Sequence, residues 1–305
     1  MRVISRRWRS LLVAATLSSL AVSVVGVGAV QAAGAPGSAA QVSALVAASA
    51  KITHLSPALQ AKLATASNDF NWGSACATVG SCVEGDLTST KVAVLFGDSH
   101  ALMWMPAINP TAIAHHIKVE LVWLGGCPSA TVSIYYPVLG DPDRCNAWRA
   151  TTIQVIKKLN PAVVLLGGRA FARSSSTTFF TSDEWATGLE TTIKALKSST
   201  TKVGVIEDTV GFPAKTVSCL ATYLNAVQKC SAPWPTTKAH GTQAGELKAA
   251  TVTGVTFIKT HQWFCTKTCS MVIGGFFPFV DQDHVSTTYS SYLSVVMRSE
   301  LKPLF

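Results

Sequence analysis

From about residue 90 the chain repeats one pattern, a short apolar run followed by a longer stretch with apolar residues every three or four positions. The runs KVAVLF (91–96), KVELVWL (118–124), AVVLLG (162–167), KVGVIE (202–207) and GVTFIK (254–259) are rich in Val, Ile and Leu. Several are apolar on consecutive residues, which predicts strands covered on both faces. Between them, NAWRATTIQVIKKL (146–159) has helical spacing and ends in two lysines, which suit a helix C-terminus. Thr181 and Glu184 are spaced as a capping box and open a helix to about Lys197. A last helix starts near Ser286 and carries Tyr289, Tyr292, Leu293, Val296 and Met297 on one face. Alternating strands and helices predict a three-layer α/β/α domain with a five-stranded parallel sheet over 69–305. Ahead of it, 33–45 reads as a flexible leader rich in Ala, Gly, Ser and Pro, and 46–68 as one or two short helices divided by Pro57.

Composition adds a compartment. Mean hydropathy is +0.32 and only 13% of residues are charged, values that lean toward a membrane or exported protein. The longest apolar run, LLVAATLSSLAVSVVGVGAV (11–30), follows Arg2, Arg6, Arg7 and Arg9 and precedes Val30-Gln31-Ala32. That order predicts an export signal over 1–32. The competing reading is an uncleaved anchor, and the Ala, Ser and Gly content of the run favours cleavage. Removing four arginines and no acid lowers the formal charge from +9 to +5. The remaining lysines are scattered, so no basic stripe for nucleic acid is present, and only a weak attraction to anionic wall or glycan is expected.

All eight cysteines follow the signal, and an even count in an exported chain argues for disulfides. They fall as four local pairs: Cys76–Cys82, Cys127–Cys145, Cys219–Cys230 and Cys265–Cys269. Local pairing is the simplest of the connectivities an even count allows. Zinc is the rival, but Cys265-x-x-x-Cys269 with His261 is a poor match to metal spacing, and no metal or cofactor is expected.

The stretch VLFGDSHALMW (94–104) ends the first strand on Gly-Asp-Ser-His. In a parallel sheet, ligands bind outside the carboxyl ends of strands, and Ser99 stands at that edge. A serine becomes a nucleophile when a base takes its proton and a third group orients the base. His100 is the neighbour of Ser99 and points away from it in extended structure. His115 and His116 end a helix, His54 lies in the leader region, and His240 and His261 sit near loops or strand ends. His284, in FVDQDHVSTTY (279–289), has Asp281 three residues earlier, where a turn folds the carboxylate onto Nδ1; the adjacent Asp283 reaches it less easily. The plain alternative is a surface turn whose acids cap a helix.

GDSH after the first strand, joined to a late Asp-x-x-His before the last helix, resembles the SGNH (GDSL-like) hydrolase superfamily. The chain is further similar to the SGNH domains attached to bacterial acyltransferase family 3 proteins. That likeness runs through the Cys76–Cys82 segment, Ala101, Trp104, Gly126-Cys127-Pro128, Cys145, the Cys219–Cys230 pair and CTKTCSMVIGG leading into DQDHVS, roughly 46–305 in all. The resemblance implies a flavodoxin-like sheet, with Ser99 as nucleophile, His284 as general base and acid, and Asp281 as orienting carboxylate. It implies an oxyanion hole of the Ser99 and Gly126 N–H groups. A third donor is an Asn in that family; here Gly167-Gly168-Arg169 puts Arg169 in its place, so the guanidinium donates or the hole has two donors. Asp98 and His100 are read as shaping the turn. Trp104, Trp123 and Trp148 are read as core, and Arg144 with the loop 129–144 as substrate contacts.

The implied activity is a secreted or envelope-associated acyl esterase or O-acyltransferase for short acyl, above all acetyl, esters of envelope glycans. Its partners would be an acylated glycan or small ester and a separate membrane acyltransferase as acyl donor. No nucleic acid is expected, and the chain is expected to be a monomer. The alternative is a non-catalytic glycan-binding module on the same fold.

Overall fold

The computed structural model describes residues 37–73, 76–135, 142–169, 172–173, 178–234 and 242–305. The export signal over 1–32, the first residues of the leader, His240 and the 136–141 part of the expected substrate loop lie outside the described residues. Six strands form the central sheet: β1 (Val83–Gly85), β2 (Val92–Gly97), β3 (Lys118–Trp123), β4 (Val163–Leu166), β5 (Lys202–Ile206) and β6 (Thr256–Ile258). Their order is β1-β3-β2-β4-β5-β6. The last five run parallel, while β1 pairs antiparallel with β3 through Val83 opposite Glu120. The expected five-stranded sheet therefore carries a sixth, antiparallel edge strand. Val-Glu-Gly is too short to show a period, so that strand leaves no trace in the sequence.

Ten helices are described: α1 (Ala39–Ser49), α2 (Pro57–Leu63), α3 (Ser99–Leu102), α4 (Met105–Ala114), α5 (Pro142–Leu159), α6 (Ser182–Leu196), α7 (Thr216–Thr222), α8 (Thr242–Thr253), α9 (Thr287–Tyr292) and α10 (Ser294–Leu301). Two predicted helix starts are caps: Thr181 and Glu184 close a capping box on α6, and Ser286 caps α9. One expectation is corrected. Helix α1 begins at Ala39, inside the stretch read as a flexible leader, because Ser38 and Gln41 close a second capping box and Val42 and Val46 are buried.

The consecutive apolar residues of β2 divide between two cores. Val94 and Phe96 pack with Ile153, Trp185, Leu189 and Ala249 of α5, α6 and α8. Ala93 and Leu95 pack on the other face with Ile108, Tyr289, Leu293 and Met297 of α4, α9 and α10. Burial on both sides is why these strands carry no polar alternation. Disulfides join Cys76 to Cys82, Cys127 to Cys145, Cys219 to Cys230 and Cys265 to Cys269, with Cα separations of 5.5, 5.5, 5.8 and 4.1 Å. Among the described residues no helix is long and apolar enough to cross a membrane.

Candidate active site

Strand β2 ends at Gly97, and the chain turns through Asp98 into α3. The turn is held by the Asp98 carboxylate, whose Oδ1 accepts from the His100 N–H (2.8 Å) and Oδ2 from the Arg169 N–H (3.0 Å). One buried acid thus ties the loop after β2 to the loop after β4. Ser99 is the first residue of α3, with its side chain nearly buried. Close backbone contact shapes the surroundings. A Cβ on Gly97 would lie 1.9 Å from the Gly167 carbonyl oxygen, and one on Gly168 would lie 2.7 Å from Pro128. Three loops leaving β2, β3 and β4 meet here because glycine leaves them room.

The Ser99 hydroxyl donates to His284 Nε2 at 2.8 Å, and His284 Nδ1 donates to Asp281 Oδ2 at 2.8 Å. The turn before α9 builds this locally. Asp281 Oδ1 accepts from the N–H groups of Asp283 (3.0 Å) and His284 (2.9 Å), so the carboxylate that orients the ring also closes the turn. Burial pushes the Asp281 pKa up, but the hydrogen bond and charge of His284 and the two backbone donors hold it well below the usual carboxylate range. Serine, histidine and aspartate brought together in this order can activate a hydroxyl for attack on an acyl carbon.

The adjacent positions form a second ionic cluster. His100 Nδ1 meets Asp208 Oδ1 at 2.5 Å, and its Nε2 lies 3.6 Å from Asp283 Oδ1. Asp283 is ion-paired with Arg169 and lies 3.4 Å from His284 Nδ1. Asp208 N–H donates to the buried Glu246 carboxyl at 2.8 Å. Burial alone would lower the His100 pKa, yet the charge and hydrogen bond of Asp208, with Asp283 behind them, raise it to about 10. Asp283 is likewise pushed up by burial and held below its ordinary value by His100, Arg169 and His284. Burial and the charge of Asp208 hold Glu246 well above its ordinary value. His100, Asp283 and His284 have donor atoms close enough to share a cation. However, both His284 nitrogens are already engaged and the His100 imidazole carries a proton, so the trio fits an ion-pair network better than a ligand set.

This cluster sets a pH dependence. His100 binds its proton more tightly folded than unfolded, so its stabilisation is complete below about pH 6.5 and is lost as pH rises toward about 10. Glu246, neutral in the fold, adds a loss in the same direction above about pH 4.5. Asp281 acts oppositely, losing its contribution as pH falls below 3.8. Thermal unfolding followed from pH 3 to 10 is expected to give the highest Tm near about pH 4, between the Asp281 loss below 3.8 and the Glu246 loss above 4.5, with a decline that continues above about pH 6.5 as His100 adds its own loss. His100→Gln should flatten that decline; a wild-type profile level to pH 10 would mean that His100 is neutral.

The other expected positions resolve as follows. Gly126 adopts φ +71°, a conformation suited to glycine, and among the described residues neither its N–H nor that of Ser99 has a backbone acceptor. Arg169 stands in the loop after β4 as expected, but its guanidinium is paired with Asp283. That ion pair engages Nη1, one of the three guanidinium nitrogens. Trp104 is fully buried, whereas Trp123 and Trp148 are half-buried, with Trp148 donating to the Ala77 carbonyl at 2.7 Å. Arg144 is exposed on α5. His116 pairs with Asp86 on the surface, and His261 pairs with Glu207.

Sequence reasoning missed Asp208, Glu246 and the pair Phe70 and Trp72, whose rings lie 5.4 and 5.1 Å from the His284 ring. The position of Asp208 just past β5, at the same sheet edge as Ser99, was the available signal. Beside the site, a groove of about 600 Å³ runs between Phe70, Asn71, Glu84, Met103, Asn109 and Val285.

Residues 63–299 match the family model described as "SGNH domain (fused to AT3 domains)". No curated protein matches. Among solved structures, the chain is similar to the periplasmic domain of a lipopolysaccharide acetyltransferase from Salmonella ser. Paratyphi A. Identity there is 17%, over 72% of this chain and 85% of that one, with a TM-score of 0.56. A GDSL-like lipase from Bacteroides thetaiotaomicron is 12% identical over 70% of this chain and 89% of its own, with a TM-score of 0.40. The first likeness shows the fold.

Proposed function

Because the chain belongs to the SGNH domain family, whose model is described as fused to AT3 domains, we propose that it is a Ser-His-Asp acyl enzyme acting on short acyl esters of envelope glycans. Acyl-ester hydrolysis or transfer is the chemistry of the family. The observation that carries the specific reading is the unbroken relay from Ser99 Oγ through His284 to Asp281, both links at 2.8 Å.

In the first half-reaction Ser99 Oγ attacks the acyl carbon and its proton passes to His284 Nε2. The carbonyl oxygen becomes an oxyanion facing the N–H groups of Ser99 and Gly126. Collapse breaks the ester C–O bond, and His284 returns the proton to the leaving alcohol. An acyl-Ser99 ester remains. Water or a sugar hydroxyl then enters on the same path, and His284 takes its proton as the acyl group leaves Ser99. Asp281 stays ionised and stabilises the imidazolium in both halves. Arg169, ion-paired to Asp283 through Nη1, either donates to the oxyanion from its remaining N–H groups or leaves the hole with two donors; such a donor is worth about 2.7–4 kcal/mol in comparable sites.

The four disulfides and the likeness to a periplasmic domain agree with an extracytoplasmic location, and the family's fusion partner agrees with a membrane acyltransferase as acyl donor. The glycan-binding alternative draws on the missing Asn alone. The test is acetyl release from a soluble acyl donor, measured with and without glycan acceptors. A transferase should show donor consumption that rises with acceptor and a matching acetylated glycan. An esterase should release acetate at a rate that acceptors leave unmoved. No turnover of any ester by oxidised, folded protein would sink the enzymatic reading.

A further inference from the structure

We infer that Trp72 is a stacking platform for the sugar ring whose hydroxyl gains or loses the acyl group. Among the described tryptophans it alone is exposed, at 48%, whereas Trp104, Trp185 and Trp263 are at most 4% exposed. The indole stands half in water beside the half-buried relay, resting on Phe70 rather than enclosed in a core.

Its position is fixed from both sides. The Trp72 ring lies 4.3 Å from buried Phe70 and 5.1 Å from the His284 ring, edge-on at 66°. The strap that carries it is sewn onto the start of α9, the helix directly after His284. Asn71 N–H donates to Thr287 Oγ1 (3.2 Å), Thr287 N–H to the Asp69 carbonyl (2.7 Å) and Thr288 N–H to Asp69 Oδ1 (3.2 Å). Asn71 Oδ1 accepts from Gly73 N–H at 3.0 Å and closes the turn around Trp72. The indole and the imidazole therefore belong to one stitched unit.

The chemistry then names the occupant. His284 gives its proton to the departing alkoxide and takes one from the incoming alcohol, so the alcohol must lie within hydrogen-bond reach of Nε2. The acyl group sits on the other side, against the Ser99 and Gly126 N–H groups. A flat apolar ring about 5 Å from the imidazole thus faces the alcohol portion of the ester. A sugar offers what that ring can hold, a C–H face to lie on the indole and hydroxyl edges that stay wet. A bare acyl chain would want a closed apolar slot instead.

This inference rests on the glycan reading above, and the experiment separates the two. Hydrolysis of ethyl acetate, whose alcohol is too small to cover an indole, is compared with deacetylation of acetylated xylo-, cello- and chito-oligosaccharides. Trp72→Ala is expected to lower the ratio of glycan to ethyl acetate kcat/KM by about 10- to 100-fold, mostly through KM. Trp72→Phe should regain most of it. Equal losses on both substrates would overturn the inference, since Trp72 would then only prop His284, and would leave the glycan reading standing. Wild type that hydrolyses ethyl acetate yet acts on none of the three glycans would overturn the glycan reading and this inference with it.

Discussion

Ser99→Ala should lower ester turnover by about four orders of magnitude or more while leaving the fold intact, because the hydroxyl bonds to His284 and its removal opens no cavity of note. His284→Ala should fall as far, and the double variant hardly further, since the two side chains act as one unit. The direct readout is intact mass after treatment with a small fluorophosphonate. Wild type should gain one adduct, and both single variants none. The pair of outcomes is informative because the labelling step needs the base as well as the nucleophile. If Ser99→Ala kept even a tenth of wild-type turnover, the serine assignment would fail. A glycan-binding module would keep its affinity in the same variant.

The second large effect concerns a residue with no side chain. Gly97→Ala is expected to destabilise the protein by about 3 kcal/mol or more, since its Cβ would fall 1.9 Å from the Gly167 carbonyl oxygen. Neither wall can yield cheaply. Gly167 is part of the loop after β4, with Ala101 Cα only 3.0 Å from where its own Cβ would stand. For a domain of this size the change corresponds to about 6–12 °C in Tm. Gly125→Ala is the control: its Cβ would meet nothing closer than 3.8 Å, and its expected shift is within about 0.5 kcal/mol. A Gly97→Ala protein that melts with wild type would show that the two strand ends can part, and the tight meeting of loops would lose its meaning.

The sheet was legible because burial on both faces leaves strands as bare apolar runs, which none of the described helices imitates. His284 and Asp281 were legible for a related reason: their geometry is local, a turn of three residues, and local geometry is written in spacing. What escaped is what depends on distant partners. Asp208 meets His100 across 108 positions, and its place just past a strand at the same sheet edge gives a location but not a partner. Asp283 was set aside as awkwardly placed for His284, and its main partners turned out to be Arg169 and His100. Arg169 stands where the family has its Asn, but an aligned position says where a residue stands and not which charge claims it, so its ion pair with Asp283 went unread. Trp72 was passed over because a single aromatic in a loop has no pattern; only its place beside the imidazole gives it a use.

The relay has a further consequence when seen as a matter of timing. Ser99 precedes its base by 185 residues, and between them lie four of the five parallel strands. A chain made or threaded from its N-terminus presents the nucleophile early and the histidine late. Through that interval the hydroxyl is an ordinary alcohol, unable to acquire an acyl group from any passing ester. With Ser99 as the proposed nucleophile and His284 as its base, the proposed enzyme would be switched on once, when the last turn and helix dock onto the sheet edge.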